Sequence, residues 1–293
     1  MLSPELLKKI KRIHITSSKV VDSMMAGHYR SAFRGSGMEF EEVREYVPGD
    51  EIKSIDWKVT ARMGHPYIKR YREEREQVIM LLVDMSRSGL FGTTEKNKRE
   101  TITEMASILA FHAIKNGDKV GVILFTRDIE RYIPPKRGAS HVWRVIREIL
   151  SFTPKYRGTD IIRALDFLGK VCRKKTVTFL VSDFLGPDPT SSLRSLSKRH
   201  DLIAVPVTDP GDFALPSGGM LCARDLETGE QLHIDCTDKK IRQAYTDMQL
   251  QTYTNTLLAL KRAGIDCMEI HTDAPLVDAL YRFFRIREKR ARS

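Results

Sequence analysis

The sequence predicts an α/β chain: a doubly wound, mostly parallel six-stranded sheet preceded by a small β-rich N-terminal module. Two observations carry this. From about Gln77 onward, short apolar runs alternate with amphipathic stretches of helical period, and that alternation implies right-handed crossovers between parallel strands. The runs themselves are continuously apolar, as in Val78-Ile-Met-Leu-Leu-Val83, which is what a parallel strand covered on both faces requires.

In chain order, residues 1–30 read as an N-terminal helix. Leu7, Ile10, Ile13, Val20, Val21 and Met24 fall near one face between Pro4 and Met25. Residues 31–76 change in texture. Gly35-x-Gly37, Pro48-Gly49-Asp50 and Gly64-His65-Pro66 break them into short pieces, with Phe40, Tyr46 and Trp57 as the candidates for a small core. Residues 77–293 then form the main domain. A helix is predicted over 95–115, with Ile102, Met105, Leu109 and His112 on one stripe and Asn116-Gly117 as its stop. Strands follow at 120–125 and 129–133, helices at 141–150 and 160–171, a strand at 176–181 and a helix at 190–198. Leu202–Val207 is a further strand, although Pro206 favours a strand end or an edge. An inserted hairpin near 219–235, turning at Glu227-Thr-Gly-Glu230, precedes a long helix at 239–262, a strand at 265–270 and a last helix from Pro275.

Composition narrows the class. The 293 residues are 41% hydrophobic and 30% charged, as expected of a globular chain with a real core. No apolar run approaches the ~20 residues of a membrane span, and Met1-Leu-Ser-Pro-Glu5 opens no secretory signal, so a cytoplasmic location is expected. Cys172, Cys222, Cys236 and Cys267 are scattered, which favours free thiols in a reducing compartment. Cys222, His233 and Cys236 could meet across the hairpin as soft ligands, but a zinc site needs a fourth ligand and tighter spacing. The 49 Lys+Arg against 38 Asp+Glu give a net charge of +11. Much of the excess lies at the two ends, Lys8 to Lys19 and Arg282 to Arg292, where it forms solvated helix faces or attracts an anionic partner.

Chemistry is expected beyond the carboxyl ends of the strands, where open α/β sheets place their ligands. Asp84 follows the first strand of the main domain, with Ser86 and Ser88 in the loop after it. Asp183 follows the 176–181 strand, and Thr159 lies in a loop on the same edge. Each alone could be a helix cap. Together, two carboxylates and three hydroxyls make a hard, all-oxygen site suited to Mg²⁺ or Mn²⁺, with Ca²⁺ admissible. Neutral hydroxyl ligands leave such an ion with residual positive charge and an open position for a carboxylate from another molecule.

Asp84-Met-Ser86-Arg-Ser88, Thr159 and Asp183 resemble the metal-ion-dependent adhesion site of von Willebrand factor A domains, and the resemblance extends from about Gln77 to Arg287. Phe184 departs from it, since many members carry glycine there. The upstream string is more specific. Phe33-Arg-Gly35-Ser-Gly37-x-Glu39-Phe40-x-x-Val43-Arg44-x-Tyr46-x-Pro48-Gly-Asp50, Ile55-Asp56-Trp57-Lys58, Thr60-Ala-Arg62 and Lys69-Arg-Tyr71-Arg-Glu73-Glu-Arg75 resemble the bacterial family called domain of unknown function 58. That resemblance implies a metal-dependent protein–protein interaction module whose partner is a MoxR-type AAA+ ATPase.

Rival functions find less support. There is no Gly-x-Ser-x-Gly string and no histidine placed to partner a serine. A phosphoryl-accepting Asp84 would need a second aspartate two residues on, where Ser86 stands. No Gly-x-x-x-x-Gly-Lys loop is present. A metal-dependent hydrolase and a nucleic-acid-binding protein using the basic termini are the alternatives, the latter supported by charge alone.

Overall fold

The computed structural model describes residues 38–73 and 77–292; the helix expected over residues 1–30 lies outside them. The chain divides into two compact units, Phe33–Glu76 and the body that runs from Gln77.

In the smaller unit, β1 (Met38–Glu45) pairs antiparallel with β2 (Tyr67–Glu73), and the seven-residue helix α1 (Trp57–Met63) lies between them in sequence. Asp56 caps α1 by accepting from the amides of Lys58 and Val59, and Gly64 closes it with φ 77°. The module is therefore mixed α and β. Trp57 is not part of a core: at 68% exposed it stands in solvent, because a residue at the first position of a short capped helix has too little surrounding chain to cover it. The polar residues pair locally, Arg44 with Asp50 at 2.7 Å and Lys69 with Asp56 at 3.3 Å.

The larger unit contains β3 (Val78–Asp84), α2 (Lys98–Asn116), β4 (Lys119–Phe125), β5 (Ile129–Lys136), α3 (Ala139–Ser151), α4 (Ile161–Val171), β6 (Val177–Ser182), α5 (Thr190–Ser197), β7 (Asp201–Thr208), β8 (Met220–Arg224), β9 (Gln231–Asp235), α6 (Lys239–Arg262), β10 (Asp266–Cys267), β11 (Ile270–His271) and α7 (Leu276–Arg292). The sheet runs β10-β7-β6-β3-β4-β5, all parallel except β5, which forms an antiparallel hairpin with β4. This is the doubly wound sheet expected. Met80, Leu82, Ile123 and Phe125 pack on α4, α5 and α6 through Leu165, Leu168, Leu193 and Leu260. Their sequence neighbours Ile79, Leu81 and Val83 point the other way, to the side on which α2 and α3 bury Ile102, Met105, Leu109, Val145 and Ile149.

The sixth strand is split in two. Ala204 and Thr208 turn their carbonyls toward it, accepting from Met268 and Thr272 at 2.9 and 3.0 Å. Pro206, midway between them, faces the same side with no N–H to donate, and the ladder breaks opposite it into β10 and β11. Pro206 thus lies within a strand, and its effect appears in the neighbour. Helix α2 begins with a reciprocal cap, in which Asn97 accepts from Glu100 N and Glu100 reaches back to Asn97 N. Among the described residues no helix is long and apolar enough to cross a membrane.

Candidate functional site

β3 and β6 are central neighbours, and both end at the same edge, β3 on Asp84 and β6 on Ser182. Asp84 is 4% exposed. Its Oδ1 accepts from Ser86 N at 2.9 Å, and its Oδ2 accepts from the Ser182 hydroxyl at 2.6 Å. Thr159 reaches the same Oδ1 from the loop before α4, its hydroxyl 3.5 Å away, at the outer limit of a hydrogen bond. Ser86 and Ser88 bring their hydroxyl oxygens within 2.9 Å of each other. Four of the five residues expected at this edge are therefore joined by hydrogen bonds.

None of the three hydroxyls serves as a helix cap. Ser86 precedes a short 3-10 turn over Arg87–Leu90 without capping it. The cap of α4 is Asp160, which accepts from Arg163 N at 2.9 Å, and this leaves Thr159 free to face Asp84.

The fifth residue, Asp183, is one step beyond β6. Its Oδ1 accepts from Leu185 N at 3.2 Å, and its Oδ2 is buried without a hydrogen-bond partner among the described residues. Its charge is felt by Asp84, whose carboxyl is pushed up to about 6, first by burial and then by repulsion from Asp183; Ser182 and Ser86 oppose the rise. Two buried carboxylates close enough to repel, one with an oxygen that accepts no hydrogen bond among the described residues, set among three hydroxyls, form a donor set that fits a hard divalent cation. Among the described residues no three His, Cys, Asp or Glu side chains gather into a metal-binding group; hydroxyls complete the set here. Cys222 and His233 are register partners on the hairpin, whereas Cys236 is fully buried.

After Asp183 the chain turns at Phe184 with φ 58°, the left-handed conformation that glycine adopts freely and a bulky residue at a cost of about 1–2 kcal/mol. The turn geometry that glycine would give is thus retained with phenylalanine in place. Its amide donates to the Ser182 hydroxyl at 3.0 Å, and its side chain packs against the hydrophobic core on that side of the sheet.

Several residues at this edge escaped the sequence reading. Lys98, 2% exposed at the first position of α2, pairs with Asp212 at 2.8 Å and stands 3.6 Å from Asp183. Arg99 donates to the carbonyls of Met85 and Ser86 at 2.8 and 2.9 Å, fastening the loop that carries the serines. Glu227, at the tip of the β8–β9 hairpin, accepts from the amides of Ser88 and Gly158 at 3.0 and 2.5 Å. For Ser182 the signal was present, since it is the last residue of an apolar strand beside the chosen Asp183. Lys98 and Glu227 gave none, because their distance in sequence from the site hides the contact.

The chain is similar to several known proteins. An uncharacterized protein of Mycobacterium tuberculosis is 28% identical over 291 residues, covering 98% of this chain and 92% of its own. Among solved structures, an aerotolerance-related membrane protein from Bacteroides fragilis covers 73% of this chain and 99% of its own at 16% identity and a TM-score of 0.47. The von Willebrand factor A domain of SpRpn10 covers 70% and 94% at 10% identity and a TM-score of 0.39. The family described as protein of unknown function DUF58 matches residues 42–254, a span that starts within β1 and takes in β2 to β9, all five candidate site residues and the hairpin, and the chain belongs to that family.

Proposed function

We propose that this protein is a metal-dependent protein–protein interaction module of the cytoplasm, in which Asp84, Ser86, Ser88, Thr159 and Asp183 hold Mg²⁺ or Mn²⁺ and the ion accepts a carboxylate from a MoxR-type AAA+ ATPase. The observation that carries the reading is the buried Asp84, oriented from both sides by Ser86 N and Ser182, beside an Asp183 oxygen that accepts no hydrogen bond among the described residues and has Lys98 at 3.6 Å. A bound cation would supply a positive charge, incompletely neutralised by its hydroxyl ligands, at the mouth of the site. Protein groups do the rest: Ser182 and the loop amide orient Asp84, and Arg99 holds the serine loop in place.

The arrangement also favours binding over turnover. Ser86 and Ser88 bond to each other. Elsewhere His141, His200 and His271 bond to the Val120 carbonyl, Thr176 and Thr208; a nucleophile would need a base within that reach. The test is calorimetric titration with Mg²⁺ and Mn²⁺, followed by capture of the MoxR-type ATPase from the same organism with and without EDTA. Metal binding that Asp84→Ala and Asp183→Ala both abolish is expected, together with capture lost in EDTA and in the Ser86→Ala/Ser88→Ala double variant. Equal capture in EDTA by a folded double variant would overturn the metal bridge.

A further inference from the structure

The β8–β9 hairpin stands away from the core: no residue of either strand is buried, and Met220 and Leu232 are 68% and 63% exposed. Its tip is nevertheless well formed. Asp225 accepts from the amides of Glu227 and Thr228 at 2.7 and 3.1 Å, and the Asp225 and Gly229 amides close the turn at 2.9 and 2.8 Å. From this braced turn the Glu227 side chain leaves the hairpin and places one oxygen on Ser88 N and the other on Gly158 N.

Those two amides belong to the two loops that carry the candidate hydroxyl ligands: Ser88 is itself one, and Gly158 directly precedes Thr159. Gly158 has φ 83°, which only glycine adopts without strain, and its N–H points at the carboxylate. Two backbone donors converging on one carboxylate form a preformed carboxylate-binding site, since charge-assisted bonds of this kind are the strong ones. The position is an unlikely one for a third negative group. Asp84 and Asp183 are already there, with Lys98 3.6 Å from Asp183. Glu227 is held at this edge by amides, in the presence of Arg99, whose positive charge faces both Asp84 and Glu227.

We propose that the amides of Ser88 and Gly158 form a carboxylate-binding subsite, that Glu227 is its resident occupant, and that an acidic side chain of a protein partner enters by displacing the hairpin tip. The last clause rests on the function proposed above; the subsite and its occupant do not. The partner therefore competes with a carboxylate tethered to the same chain, which raises the threshold for binding and selects partners whose acidic residue is presented rigidly, so that little ordering cost is added.

The test uses the full chain labelled with ¹⁵N and follows the Ser88 and Gly158 amide resonances in wild type, Glu227→Gln and Glu227→Ala, with sodium acetate as the probe and sodium chloride as the ionic-strength control. In EDTA, Glu227→Ala should move both resonances upfield, and acetate should return them in a saturating titration. Wild type should need at least tenfold more acetate for the same effect, and Glu227→Gln should fall between. Resonances that are the same in wild type and Glu227→Ala, or that acetate moves no more than chloride does, would overturn the subsite. Glu227→Gln keeps the shape of the tip and serves if the alanine variant fails to fold. Repeating the titration with Mg²⁺ separates the two proposals: acetate recovery without Mg²⁺ binding leaves the subsite standing and the metal bridge refuted, while Mg²⁺ binding without any amide response does the reverse.

Discussion

Ser182 donates its hydroxyl proton to Asp84 Oδ2 at 2.6 Å, from the last residue of β6 to the last residue of β3. The same hydroxyl oxygen accepts from Phe184 N. One small side chain therefore connects the carboxylate of one strand to the strained turn that follows the other. This fixes the angle at which Asp84 faces the loop of Ser86 and Ser88. It also favours the ionised form of a carboxyl that burial would otherwise neutralise.

Replacing Ser182 by alanine should consequently act on the metal more than on the fold. Loss of a partner that orients a ligand typically weakens metal affinity by about 10–100-fold, and the Asp84 carboxyl should rise further because its hydroxyl donor is gone. Calorimetry with Mn²⁺ on wild type and Ser182→Ala measures this. Unchanged affinity would show that Ser86 N alone orients Asp84.

Much of this edge was legible in the sequence because it is local. Asp84, Ser86 and Ser88 lie within five residues, and their placement after a continuously apolar strand is dictated by the same pattern that predicts the sheet. Asp183 and Thr159 were legible because the alternation of elements puts their loops at the same edge. What stayed hidden depends on distance. Lys98 is a lysine in the first turn of a helix, a position that reads as solvent-facing, yet it is buried against Asp212 and Asp183. Glu227 reads as the surface tip of a hairpin, and only the folded chain brings it to Ser88, 139 residues away. Trp57 failed in the opposite sense: aromatic character suggested a core position, and the side chain stands 68% exposed.

Lys98 should prove structurally critical. Its ammonium is the cation between two carboxylates, one of which, Asp212, is already raised above the ordinary carboxylate range by burial despite the lysine's opposing effect. Lys98→Met keeps the aliphatic stem and removes the charge. Leaving a buried ion without its partner costs about 3–5 kcal/mol, to be read from urea denaturation in EDTA. Saturating Mg²⁺ should restore part of the loss, because a cation beside Asp183 relieves one of the two stranded charges. A variant as stable as wild type would mean that the cluster adjusts by protonation.

Arg287 and Arg290 of the basic C-terminal helix should contribute little to nucleic-acid binding. Arg287 is held on Asp201 at 2.6 Å and on Asp266 at 3.3 Å, and Arg290 pairs with Asp266 at 2.8 Å. These cations are already matched within the chain, and matched charges release few counterions from a nucleic acid. Fluorescence anisotropy with a labelled oligonucleotide should show weak, sequence-independent binding at low salt that disappears near 0.15 M salt. Tight, sequence-selective binding at that salt would place the function in the basic surfaces.

The last prediction follows from the Asp84 carboxyl itself. In the metal-free protein it is pushed up to about 6, while in the unfolded chain it returns to the ordinary range near 4. Between those values the folded state binds more protons than the unfolded state, so stability falls as pH rises through this window and stays lower above it. The difference amounts to about 3 kcal/mol for a group so fully buried. Asp84→Asn is neutral at every pH. In EDTA it should lack this part of the pH dependence and should be the more stable protein at pH 7.5 by roughly 1–3 kcal/mol, the range allowing for an amide nitrogen that faces the Ser182 hydroxyl where a carboxylate oxygen accepted from it. Mg²⁺ should reverse the ranking. A cation stabilises wild type by mass action and has no charged ligand at this position in the asparagine variant. Its apparent affinity for wild type should fall about tenfold for each pH unit below about 6, as protons compete for the carboxylate. Thermal denaturation of both proteins from pH 4 to 8, with and without Mg²⁺, contains the whole test. Parallel curves in EDTA would mean that Asp84 titrates like an exposed acid, and an equal Mg²⁺ response in the two proteins would remove it from the metal site.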